Sequence, residues 1–155
     1  ILTNLAYDIA INIRTAQTYG LNFKGIDQGG GVYAFDRPYG IHFSLSNPDE
    51  FIFFSDNNKN GQYTPAQSQS EAIKIFKIKN GMTISGLCAG NGPSDCSTNK
   101  NRLDILFIRP DPKAIINHDN SCGSCTYARI SVTAPNGENR YIEVRSTGQI
   151  SIKDQ

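Results

Sequence analysis

Oxygen-bearing side chains recur at every second residue after Asp56. In the run Asp56-Asn57-Asn58-Lys59-Asn60-Gly61-Gln62, Asp56, Asn58 and Asn60 take the first, third and fifth places of a loop, and Gly61 the sixth. That is the first half of the EF-hand calcium spacing, in which a glycine permits the turn that aims alternate oxygens at one point. The backbone carbonyl of Gln62 would supply the seventh place. The twelfth, ordinarily a bidentate acid, is Gln67, and Glu71 four residues further on is the acid able to close the set. One carboxylate among the first three oxygens means low ligand charge, so any calcium affinity is expected in the weak range of roughly 0.1–1 mM. The competing reading is an Asn/Gly turn whose side chains bond their own backbone.

Sulfur chemistry is the second possibility. The four cysteines fall into two local pairs, Cys88 with Cys96 and Cys122 with Cys125. Four cysteines allow three connectivities. Each pair sits in a Gly/Ser/Asn-rich stretch expected to be a loop, with neither pair a buried thiol. Two local disulfides would indicate an oxidising compartment. The rival is a four-thiolate zinc site, which prefers two C-x-x-C knuckles. Only Cys122-Gly-Ser-Cys125 has that spacing. A thioredoxin-like redox role needs a helix after C-x-x-C, and Thr126–Thr133 reads as a strand.

Catalytic chemistry finds little to work with. His42 lies on the polar side of an alternating strand and is expected to be solvated. His118-Asp119 is expected in a polar loop near Cys122, where pairing of that cysteine would remove the thiol a Cys–His nucleophile needs. No G-x-S-x-G, H-E-x-x-H or P-loop pattern occurs. A nonenzymatic role is the expectation.

The elements that must carry these residues follow from periodicity. Leu2, Leu5, Ala6, Ile9, Ile13 and Ala16 form a stripe of helical spacing opposite Thr3, Asp8, Asn12, Arg14 and Thr15. Gly20 follows the last apolar turn, where a left-handed residue would close a helix. The rest reads as strands and turns. Leu21–Lys24 and Val32–Phe35 are short extended pieces around the loop Asp27–Gly31. Ile41, Phe43 and Leu45 alternate with His42 and Ser44, and Glu50–Ser55 is a continuous apolar run suited to a central strand. Asn80-Gly81 is the strongest hairpin signal, expected to join the strand of Ile73, Ile75 and Ile78 to Met82–Leu87. After the loop Cys88–Asn101 come Leu103–Ile108 and Ala114–Ile116. Ala128–Thr133, Arg140–Val144 and Gln149–Ile152 should form an antiparallel meander. The 155 residues suit one α+β domain, with the helix on antiparallel sheet and Leu5, Ile9, Ile13 and Ala16 against strands such as Phe51–Phe54 and Leu103–Ile108. Fifteen Lys and Arg against fourteen Asp and Glu give a net charge of +1, which implies no strong field for nucleic acid or membrane surfaces.

The order of these features resembles the pilin-like proteins, and among them the minor pseudopilins and minor pilins of the GspH/FimT type. Asn4–Asp8 through Arg14–Gly20 resembles the C-terminal half of that family's long first helix. Tyr39-Gly40-Ile41 resembles its glycine-bearing strand, and Phe53-Phe54-Ser55-Asp56 with Asn58 and Gly61 its strand-to-Asp-loop element. Phe107-Ile108-Arg109-Pro110 and Ser146-Thr147-Gly148-Gln149-Ile150 resemble its late strand and closing turn. The resemblance implies a pilin-like fold, with residues 1–20 the second half of the first helix and 21–155 a β-rich head.

The chain opens on Ile1 with no capping residue ahead of the apolar run, so an N-terminal half of the helix is expected upstream, and the resemblance implies that this half is hydrophobic and carries a prepilin peptidase signal. Such a segment would anchor the subunit in the inner membrane and later pack in a filament with other pilins or pseudopilins. The head would face the periplasm or the filament surface. The implied function is a structural subunit of a type II secretion pseudopilus or a type IV pilus. The alternatives are a DNA- or surface-binding pilus subunit and, behind that, a redox protein using Cys122 and Cys125. The tail QISIKDQ carries one Lys offset by one Asp and lacks the basic cluster that DNA capture would use, so nucleic acid is not an expected partner.

Overall fold

A computed structural model of the chain describes residues 1–21, 26–27, 33–34, 37–65, 71–96, 100–108, 111–119, 122 and 124–154. The apolar stripe folds as one helix, α1 (Leu2–Leu21). All six stripe residues, Leu2, Leu5, Ala6, Ile9, Ile13 and Ala16, are buried. The helix continues one residue past Gly20, so that glycine does not end it. Leu21, expected to open a strand, is the last helical residue. Residues 22–24, the glycines 29–31, Gln67 and Arg109-Pro110 lie outside the described residues.

Eleven strands follow among the described residues: β1 (Ile26–Asp27), β2 (Tyr33–Ala34), β3 (Tyr39–Ser44), β4 (Glu50–Ser55), β5 (Ala72–Lys77), β6 (Thr83–Gly90), β7 (Arg102–Phe107), β8 (Ala114–His118), β9 (Tyr127–Thr133), β10 (Asn139–Arg145) and β11 (Ile150–Asp154). β1 and β2 form a short pair, the larger sheets run β5-β4-β3-β7-β8 and β11-β10-β9-β6, and all pairings are antiparallel. The fold is therefore α+β, one N-terminal helix with two main antiparallel sheets, and β9, β10 and β11 form the expected meander.

The helix touches both sheets, lying on β3 and β7 of one and on β9, β10 and β11 of the other. β4 meets it through Tyr19, whose ring lies 5.4 Å from that of Phe53. β6 packs across to β3, β7 and β8, joining the sheets around one core. The apolar run of β4 is explained by two covered faces. Phe51 and Phe53 enter the main core, while Ile52 and Phe54 join Leu106 in a second cluster on the outer face, capped by Tyr63 and Ala72.

The hairpin expected at Asn80-Gly81 does not form. Both residues have positive φ, 62° and 72°, as a type I′ turn requires. The strands on either side belong to different sheets: β5 pairs with β4, and β6 with β9. Ile78 N–H bonds Asp49 O at 2.7 Å and Ile84 N–H bonds Pro48 O at 2.8 Å, so one turn anchors both ends and the chain crosses between sheets. Turn chemistry sets the local reversal; the burial of each strand's apolar residues sets its partner.

Candidate functional site

Strand β4 ends at Ser55 and delivers Asp56 into the loop, where the carboxylate is 1% exposed. Asp56 Oδ1 accepts the N–H of Asn60 at 3.1 Å and Oδ2 that of Gly61 at 2.8 Å. Asn58 Oδ1 accepts from Asn60 N–H and Asn60 Oδ1 from Gln62 N–H, two Asx turns in succession. Gly61 has φ 79°, a conformation that glycine tolerates without strain. Glu71, 3% exposed and just ahead of β5, reaches back across the loop. Its Oε1 accepts from Asn57 and Asn58 N–H at 3.0 and 3.3 Å, and its Oε2 from Thr64 N–H at 2.7 Å. Arg37 Nη1 donates to Asn57 Oδ1. Asp56, Asn58, Asn60 and Gln62 share one loop, and Glu71 reaches back to its backbone.

The donor chemistry distinguishes these five residues. Each oxygen of Asp56, and the side-chain oxygens of Asn58 and Asn60, accepts one N–H in the bonds above and keeps a lone pair for a hard cation. Glu71 directs its carboxylate to three N–H groups. The Gln62 side chain is engaged elsewhere, its Oε1 accepting from Arg102 Nη2 at 2.6 Å, which leaves its backbone carbonyl as the candidate ligand. Among Asp56, Asn58, Asn60 and the Gln62 carbonyl, the oxygens expected at a calcium ion, Asp56 carries the single full negative charge.

Beneath the loop runs a polar row that periodicity alone did not reveal. His42, Asp104 and Asn117 are register partners across β3, β7 and β8. His42, expected to be solvated, is 9% exposed, and its Nδ1 lies 2.7 Å from Oδ1 of the fully buried Asp104. With Asp104 ionised, that nitrogen is the donor. Tyr63 of the loop covers the imidazole at a ring distance of 4.8 Å. Arg102 Nε lies 3.3 Å from the other Asp104 oxygen, and Asn117 Nδ2 donates to Gly61 O at 2.7 Å. The row thus clamps the loop to the sheet through Arg102–Gln62, Asn117–Gly61 and Tyr63. The available signal was the interruption of Leu103–Ile108 by Asp104, one charge in an apolar strand that needs a partner.

A second cluster lies where β8 hands over to β9. Cys88 pairs with Cys96 and Cys122 with Cys125, Cα atoms 5.5 and 5.4 Å apart, within the reach of a disulfide. Two cysteines depart from the expected loop setting. Cys88 belongs to β6, and both Cys88 and Cys125 are buried, 6% and 7% exposed. His118 ends β8 and is itself buried, where a polar loop was expected. Desolvation by burial lowers its pKa, Lys100 and Arg102 push the same way, and Asp119 opposes them. The ligand atoms of His118, Cys122 and Cys125 lie within 4.8 Å of one another, and among the described residues no such group includes Cys88 or Cys96. The four sulfurs therefore do not gather at one point, which removes the four-thiolate zinc reading.

Compared with known proteins, the chain matches no protein-family model, no curated protein sequence and no solved structure.

Proposed function

We propose that this chain is the globular head of a structural minor subunit of a pilin-like filament, either a type II secretion pseudopilus or a type IV pilus. The observation that carries the reading is the two-sided character of α1. One face is buried against both sheets, while the other keeps Tyr7 and Ile11 55% and 59% exposed at i, i+4 spacing. A helix docked on its own head with an apolar strip left outward is suited to packing against neighbouring subunits. The motif order after the helix supports the same reading. Its partners are other pilins or pseudopilins, its anchor is the inner membrane through a preceding hydrophobic half-helix, and the head lies in the periplasm or on the filament surface. The Asp56 loop serves as a weak calcium site that holds the outer face rigid. No enzymatic step is assigned.

The test combines genetics and fractionation. The coding region ahead of Ile1 is expected to encode a prepilin-type signal followed by an apolar segment, and the tagged protein is expected in sheared filament fractions. Ile11→Asp should leave the head folded by circular dichroism and reduce its incorporation. Absence of the signal, or a tagged protein that never fractionates with filament subunits, overturns the proposal.

A further inference from the structure

We propose that His118, Cys122 and Cys125 form a redox-gated zinc site, closed when the two cysteines are a disulfide and open when they are thiols. Three side chains of two ligand types that favour zinc, one imidazole and two thiols, converge within 4.8 Å. Around a tetrahedral zinc, two sulfurs and one imidazole nitrogen stand about 3.5–3.8 Å apart by the usual bond lengths. Once the Cys122–Cys125 bond is reduced the two sulfurs are free to part toward that spacing, with the three ligand atoms already within 4.8 Å of one another. Cys122-Gly-Ser-Cys125 has the C-x-x-C knuckle spacing, and His118 precedes it by four residues. The histidine is the last residue of β8 and Cys125 lies two residues before β9, so one ligand stands in regular structure and a second close beside it. The fourth position belongs to water.

The chemistry balances. A dithiol reductant transfers two electrons and two protons to the Cys122–Cys125 bond and leaves as its own disulfide. The two resulting thiols lose their protons to solvent as zinc binds, giving a bis-thiolate imidazole complex. The structural consequence is specific to this corner of the fold. The disulfide closes a ring within the connection alone. Zinc adds His118 and so ties the end of β8, in the five-stranded sheet, to the start of β9, in the four-stranded sheet. This inference rests on three side chains and is independent of the filament reading.

The experiment uses the Cys88→Ser/Cys96→Ser protein, so that one pair reports, with the wild type run in parallel. Each is reduced with a phosphine under nitrogen and titrated with zinc against a chromophoric chelator, and with cobalt(II) as a spectroscopic stand-in. The reduced protein should bind one equivalent, with thiolate-to-cobalt charge-transfer bands and the intense visible bands of a tetrahedral site. The oxidised protein should bind none. His118→Ala should weaken zinc by at least about tenfold, since even partners outside the ligand shell cost about 10–100-fold. Circular dichroism establishes that the variant is folded. A reduced protein that binds zinc no better than Cys122→Ser/Cys125→Ser overturns the site. A His118→Ala variant with unchanged affinity and an unchanged cobalt spectrum removes the histidine and overturns the three-ligand proposal.

Discussion

Glu71 is the residue on which the Asp56 loop depends. It accepts three backbone N–H groups, and a glutamine at this position would turn a donor toward one of them. Leaving a buried N–H unpaired costs about 1–3 kcal/mol, so Glu71→Gln should lower the denaturant midpoint by a corresponding amount at constant slope. An unchanged midpoint would mean that those bonds do not hold the loop. The same preparation tests the metal. Wild type should melt higher in millimolar calcium than in chelator, by mass action on the folded state. Asp56→Asn, which removes the only full negative charge among Asp56, Asn58, Asn60 and the Gln62 carbonyl, should lose that difference. Identical melting of the wild type in both conditions assigns the loop's oxygens to its own N–H groups alone. At this scale the sequence was legible wherever residues lie close along the chain: Asp56, Asn58, Asn60 and Gln62 advertise their turn by spacing. His42 and Asp104 were not legible, because their bond spans 62 residues and depends on strand register and on a loop folding over them.

Between elements, cross-strand pairs carry the argument. Tyr127 at the start of β9 is fully buried and donates from its hydroxyl to Glu143 on β10 at 2.8 Å. Burial, then the bond to Glu143 and the charge of that carboxylate, push its pKa up from near 10 to about 12. Below pH 10 folded and unfolded chains both keep the proton, so the shift contributes nothing to the pH dependence. Between about pH 10 and 12 the unfolded tyrosine ionises while the folded one does not. Stability therefore falls as pH rises through that window. Tyr127→Phe should flatten the fall in melting temperature across it, and a variant with the wild-type alkaline slope would remove Tyr127 as the cause. Such pairings lay beyond periodicity, which located β9 and β10 to within a residue but said nothing of what meets across them. The crossing at Asn80-Gly81 has the same physical origin. A turn's φ values are local and readable, whereas the partner of each strand is decided by which sheet buries its apolar face. Ile84 and Leu87 of β6 belong to the main core, while Ile73 and Ile75 of β5 remain half exposed.

For the whole molecule, the helix is the shared wall of both sheets, with one face buried and the other exposed. Ile13 is fully buried among residues of both sheets, whereas Ile11, two positions away on the chain, is 59% exposed. The stripe that makes this distinction was readable in advance because helical spacing fixes which residues share a face, and all six predicted positions are buried. What it could not give was the second sheet: the sequence offered one helix and one run of strands, and only packing divides that run in two. Ile13→Ala removes buried methyl and methylene groups and leaves a cavity, a change that costs about 2–5 kcal/mol. Against a typical total of about 5–15 kcal/mol that is a large fraction of the stability. Ile11→Ala should stay within about 0.5 kcal/mol, as surface substitutions do. Urea unfolding of the two variants beside wild type measures both. Equal losses would mean that α1 is not docked by this stripe. With the expected split, Ile13 governing stability and Ile11 nearly neutral, a failure of Ile11→Asp to enter filaments in the test of the proposed function is not ascribed to unfolding of the head.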